Sequence, residues 1–315
     1  MAVTIFLLPL KKAALKRRLL VSQGVPLVGG LAIGLVFLLI ILFGFLLHGG
    51  LPSEIGGIMA ASFLMLIFGA IDDLRELSVV VKLSAQLIAA SFLIFLGVRT
   101  QIIHIGGPAN IIITLAWILA ITNAFNHLDV TDGVAGSTAL IAALAFFAVA
   151  VLNRDIHTAI LSLSLSGALV GFLIFNFPPA KVYMGNSGSH FLGFVLSAVA
   201  LLISYAPVER KVALISPLLI LGFPIFDTAF LVFLRIGKNK LPFKKSNDHL
   251  ALRFLAAGYS KKKTLFTMAC LSLFFSLCGV LLSRLPDMPG IAIIVIIVLL
   301  SLGLARKMGR VRVDA

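Results

Sequence analysis

Four short polar stretches interrupt an otherwise apolar chain: Asp72-Asp73, the run 123–132 (NAFNHLDVTD), residues 184–189 (MGNSGS) and the segment around His249 (SNDHLALR). Acids and amides at membrane depth are costly, and a chain that keeps them there generally uses them. Asp72 and Asp73 are adjacent carboxylates whose repulsion readies one as a base, and their oxygens suit a magnesium ion held against phosphate. Taken alone, the pair also fits a solvated helix end paired with Arg75. Asn123, Asn126, Asp129 and Asp132 recur at every third position, which on a helix lays two amides and two acids along one slowly drifting stripe. Such a stripe binds a cation, sugar hydroxyls or both. Its plainer reading is an N-cap at Asp132 with polar packing between helices. His127, inside the run, reads as a packing or interfacial residue.

The remaining stretches are individually weaker signals. In MGNSGS, small residues at a helix start bare backbone N–H groups, which favours phosphate and equally serves tight packing. Asp227, in GFPIFDT, lies inside an apolar segment roughly two turns from its end. There it supports the charge of a site or bonds a neighbouring helix. Asp248, His249 and Arg253 stand in a lysine-rich loop, where a guanidinium can hold a pyrophosphate through two parallel hydrogen bonds.

The elements that must position these groups are membrane helices. Of 315 residues, 60% are hydrophobic and 12% charged, and the mean hydropathy is +1.14; this is an all-α polytopic membrane chain, read as one integral membrane domain over 1–315. Segments of about 20 apolar residues are expected near 28–47, 55–71, 79–97, 111–128, 135–152, 158–177, 188–206, 212–234, 263–283 and 289–305. Residues 1–10 are apolar but too short to cross, and their basic cluster follows rather than precedes them, unlike a signal peptide. A half-span, or a start upstream, is expected. With these spans, 21 of the 26 Lys and Arg residues fall on one side, including residues 11–18, the loop 235–262 and the C-terminus. That side is therefore expected to be cytoplasmic, and all four polar stretches lie on it. The net charge of +14 then belongs to loops touching anionic headgroups, and no soluble basic domain exists to bind nucleic acid. Cys270 and Cys278 share one apolar segment and read as packing residues.

In this order, with Pro26-x-x-Gly29-Gly30 ahead of them, the motifs resemble the polyprenyl-phosphate N-acetylhexosamine-1-phosphate transferase family over nearly the whole chain. The resemblance implies transfer of a sugar-1-phosphate, expected to be GlcNAc-1-phosphate, from a UDP-sugar to a polyprenyl phosphate such as undecaprenyl phosphate. UMP leaves, and the product primes a lipid-linked cell-envelope glycan. It implies Mg²⁺ (or Mn²⁺), a bacterial inner membrane, membrane lipids as surroundings, a site facing the cytoplasm, and an assembly for which a homodimer is one form. Asp72 and Asp73 match the family's acidic pair, one of which is taken to deprotonate or orient the lipid phosphate. Asp129 and Asp132 match acids of the catalytic pocket, Asn126 an amide near the metal, His249 the first histidine of an HxHHR-like loop motif, and Arg253 its arginine. Asn123 and Asp227 are expected on the substrate side.

Two departures stand out. Asn186 occupies the position of a metal-ligating aspartate, so it offers a carbonyl oxygen without the charge. The loop reads His-Leu-Ala-Leu-Arg, without the later histidines. A member that binds polyprenyl phosphate or a partner enzyme without transfer is one alternative these changes allow. A secondary transporter is another, disfavoured because its ionisable groups would sit near the bilayer midplane.

Overall fold

Proline and glycine punctuate the chain into a series of long apolar helices. The structure, a computed structural model, describes residues 2–17, 20–47, 50–102, 105–203, 211–237, 248–311 and 313. The lysine-rich stretch 238–247, the end of the expected span 188–206, Arg18 and Arg312 lie outside the described residues. The helices are α1 (Ala2–Arg17), α2 (Gly29–Leu47), α3 (Ser53–Leu74), α4 (Val79–Phe95), α5 (Gly106–Leu128), α6 (Val134–Leu152), α7 (Ile156–Asn176), α8 (Gly185–Leu202), α9 (Ser216–Ile220), α10 (Gly222–Gly237), α11 (Leu250–Ala256), α12 (Lys261–Leu282) and α13 (Asp287–Gly309). A two-residue hairpin pairs β1 (Val21–Ser22) with β2 (Val25–Pro26).

Among the described residues, eight helices are long and apolar enough to cross a membrane, and a bent pair makes a ninth. The expected span 79–97 is the shorter helix α4. The expected span 212–234 is broken: residues 211–220 and α10 meet at 73°. Pro224 explains the break, since it has no N–H to donate to Ile220 and its ring would collide with that carbonyl. The freed Ile220 carbonyl accepts instead from Ser276 Oγ of α12 at 2.9 Å. The expected half-span is the helix α1, with Pro9 inside it and Val3 and Leu7 buried against the bundle.

α8 is the axis of the fold, with 83% of its most apolar window buried. Its neighbours come close because the contacts are glycines. A Cβ on Gly69 of α3 would lie 2.5 Å from Ser187 Cα, one on Gly193 of α8 would lie 2.6 Å from Thr122 Cα of α5, and one on Gly30 of α2 would run into the Gly188 backbone. Without a hydrophobic force between helices in lipid, such small-residue contacts are what bring backbones together. By contrast α13 is only 11% buried, and its Val295, Ile296, Leu299 and Leu300 are exposed, as suits a helix facing hydrocarbon. Through these contacts the ends of α3, α5 and α7 meet the starts of α6, α8 and α12 at one end of the bundle, which holds the polar stretches.

Candidate active site

The acidic pair ends α3, and its two carboxylates face different partners. Asp73 Oδ1 accepts the N–H of Asn186 at 2.7 Å and Oδ2 that of Ser187 at 2.9 Å. These are orphan donors of the first turn of α8, so Asp73 caps that helix from another helix, where the macrodipole favours a negative charge. Gly185, at φ +76, makes the turn possible: a Cβ there would lie 2.6 Å from Asp73 Oδ2. The small residues of MGNSGS thus meet a carboxylate of the protein rather than presenting free N–H groups to phosphate. Asp72 is buried; it accepts the Leu77 N–H at 2.8 Å and pairs with Lys82 Nζ at 2.6 Å.

The stripe 123–132 divides in the same way. Asn123 is committed to the neighbouring helix, donating to Gln86 Oε1 of α4 and to the Leu119 carbonyl, both at 2.7 Å. Asn126 donates to Asn186 Oδ1 and to Ser189 Oγ, each at 3.0 Å, so α5 and the start of α8 are joined at the position where the family departure lies. Asp132 accepts the Ala180 N–H at 3.2 Å and lies 3.5 Å from Lys261 Nζ, tying the α7–α8 connection to α12. Asp129 differs from all of these. It is the first residue beyond α5, at the negative end of that helix's dipole, and it has no hydrogen bond or ion pair among the described residues. The residue is only partly exposed. Burial, with Asp73 and then Asp132 nearby, pushes its pKa up to about 7. A carboxylate so placed favours a cation.

The second half of the chain closes the site from the side. Asp227, buried in α10, accepts from Leu250 N at 2.9 Å and lies 3.2 Å from His249 Nδ1. It therefore fixes both the start of α11 and the orientation of the imidazole. His127 of α5 faces His249, with ring centroids 6.3 Å apart. Arg253, expected to grip a pyrophosphate, is turned away. The residue is 1% exposed, and its guanidinium is bonded to Asp248 Oδ1 at 2.7 Å and to the carbonyls of Met308, Gly309 and Val311. Its donors tie α11 to the end of α13 instead.

Lys82, Gln86 and His190 belong to the site although none of them is a candidate site residue on sequence alone. Lys82 and Gln86 lie one turn apart on one face of α4, with Asp72 and Asn123 opposite, and that spacing was the available signal. His190 is fully buried, its Nδ1 2.9 Å from the Asn186 carbonyl and its ring edge-on to Phe68.

Residues 55–204 match the model of glycosyl transferase family 4. A Bacillus subtilis protein named as a probable undecaprenyl-phosphate N-acetylglucosaminyl 1-phosphate transferase is 31% identical over 298 residues, covering 91% of this chain and 81% of the relative. The chain belongs to glycosyl transferase family 4. Two further similar chains show the spread of the family. A decaprenyl-phosphate N-acetylglucosaminephosphotransferase of Mycolicibacterium smegmatis is 30% identical, covering 84% of this chain and 72% of the relative. A phospho-N-acetylmuramoyl-pentapeptide-transferase of Shouchella clausii is also 30% identical, covering 82% and 83%. The family's matched segment runs from α3 into α8 and so contains the Asp73 cap, the Asn126–Asn186 contact and Asp129.

Whether these residues suit a divalent ion can be judged from their donors. Among the described residues, no three His, Cys, Asp or Glu side chains gather as a metal cage. Asp129 has no protein partner among the described residues, and the Asn186 amide oxygen, which accepts from Asn126 one helical turn before Asp129, is a neutral donor on the same side of α5. One carboxylate with neutral oxygens fits Mg²⁺, which keeps waters and is commonly held jointly with substrate phosphates.

Proposed function

We propose that the protein transfers GlcNAc-1-phosphate from UDP-GlcNAc to a polyprenyl phosphate in the bacterial inner membrane, with the site facing the cytoplasm, and so primes a lipid-linked envelope glycan. An oxygen of the lipid phosphate attacks the phosphorus bonded to the sugar. A new P–O–P bond forms, the bond to the α-phosphate breaks, and UMP carries that oxygen away. The observation that carries this reading is Asp129: a carboxylate without a protein partner among the described residues, one helical turn from Asn126 at the end of a membrane bundle. A water-borne nucleotide and a lipid phosphate meet at such a place, and the family supplies the chemistry.

Asp129 and the Asn186 carbonyl would hold Mg²⁺, with Asn126 orienting the latter. The ion supplies neutralisation of the charge that gathers on the diphosphate during transfer. Asp73 holds the first turn of α8 and with it Asn186. Lys82, paired with Asp72 at the lipid-facing start of α4, adds a positive charge near the level of a lipid headgroup. His249, oriented by Asp227, borders the donor side. Membrane lipids surround the bundle, and a homodimer is compatible with its extensive apolar outer surface.

UMP release from membranes given UDP-GlcNAc, undecaprenyl phosphate and Mg²⁺ tests the reading. Asn186→Asp adds a negative charge beside the ion and is expected to lower the Mg²⁺ concentration at half-maximal rate by about tenfold or more, the scale of a changed metal environment. No release with any UDP-sugar, and no gain from Asn186→Asp, would instead favour a binding protein without transfer. The Asn126–Asn186 amide pair is the observation that keeps that second reading in view.

A further inference from the structure

We infer that His127 contacts the nucleotide donor: its imidazole and that of His249 form a two-ring clamp for the diphosphate, supplied from α5 and from the start of α11. The inference rests on the transferase reading and deepens it. The loop reads His249-Leu250-Ala251-Leu252-Arg253 and offers one imidazole where an HxHHR-like motif offers several. The fold brings a second ring to it from a distant part of the chain. The centroids are 6.3 Å apart and the planes are inclined by 59°, so the rings present separate edges rather than stacking face to face.

The two rings are held differently. His249 Nδ1 lies 3.2 Å from Asp227 Oδ2, which sets the ring and leaves Nε2 as its bonding edge. His127 Nδ1 is buried with no hydrogen-bond partner among the described residues. Buried polar atoms are nearly always paired, and a packing histidine would be expected to have found a partner. On α5 the ring stands about 100° round from Asn126, on the side of His249, Asp227 and Arg235, so the two imidazoles together border the donor side of the site. Arg235 is close enough to add positive potential at the ring. An imidazole N–H beside such a field matches a phosphate oxygen.

Calorimetric titration of UDP into the detergent-solubilised full chain, with Mg²⁺ present, tests the clamp. His127→Leu keeps apolar bulk and removes both nitrogens; it is expected to weaken UDP binding about tenfold, the worth of one hydrogen bond to a charged group. His127→Gln, which keeps an N–H donor, is expected to recover most of that loss. UDP binding by His127→Leu equal to that of the unsubstituted chain, or His127→Gln as weak as His127→Leu, overturns the inference. Should His127→Leu not fold, His127→Met takes its place with the same two outcomes. UDP binding without UMP release would end the transferase reading and leave the clamp standing. Absence of UDP binding by the unsubstituted chain would end the clamp.

Discussion

Asp129→Asn is expected to reduce UMP release by on the order of a hundred- to a thousandfold, the scale seen when one preorganised charge-stabilising group is removed from an active site. The substitution is nearly isosteric, so packing at the end of α5 changes little. What it removes is the acid without a protein partner among the described residues. Asp72 is paired with Lys82, Asp73 with the first turn of α8, Asp132 with Ala180 and Lys261, and Asp227 with His249 and Leu250. Asp129 also stands where folding alone disfavours it, at a helix C-terminus and close to two other acids. Its removal should therefore leave thermal stability unchanged or raise it slightly while activity falls. Parallel measurement of melting temperature and turnover checks this. A variant that loses stability and keeps its rate would show Asp129 to be structural.

Asp73→Ala is expected to act through the opposite route. It leaves the N–H groups of Asn186 and Ser187 without their acceptor where α8 packs closely on α3. Two hydrogen bonds to a charged group, at about 1.5–3 kcal/mol each, together suggest a loss of about 3–6 kcal/mol. Turnover should fall by about a hundredfold, because Asn186 rides on the first turn of α8 and displacements near 1 Å in an active site have that effect. Asp73→Asn keeps one acceptor oxygen and should lie between. Amide hydrogen exchange separates positioning from direct chemistry. If Asp73 positions α8, exchange at Asn186 and Ser187 accelerates in step with the loss of rate. If Asp73 removes a proton from substrate, Asp73→Asn abolishes turnover while those amides stay protected.

The contrast between Asp73 and Asp129 explains what could be read from the chain alone. The spans were legible because about 20 apolar residues between polar breaks have one physical reading in lipid, and the polar stretches stood out against them. Their convergence at one end followed from alternation of the spans. Which acid caps a helix and which stays open was not legible, since both are simply aspartates at helix ends. The difference lies in a partner more than a hundred positions away in sequence. Arg253 shows the same limit: as a loop cation it resembled an anion ligand, whereas its donors meet the end of α13. Lys82 is not a candidate site residue on sequence alone, and only its pairing with Asp72 across the α3–α4 turn reveals it as part of the site. The expected span 212–234 missed the bend before α10, although Pro224 lies inside it, because the freed carbonyl finds its partner only on Ser276 of another helix.

The central claim is transfer of the phosphosugar to lipid, and the most direct measurement follows the sugar itself. The full chain in lipid nanodiscs would be given UDP-GlcNAc labelled in the sugar, undecaprenyl phosphate and Mg²⁺, and the organic extract analysed by mass spectrometry. The account predicts undecaprenyl diphosphate carrying one labelled GlcNAc, formed in step with UMP and reduced with Asp129→Asn by the same factor as UMP release. UMP released without a labelled lipid, or a labelled lipid with a single phosphate, would contradict it.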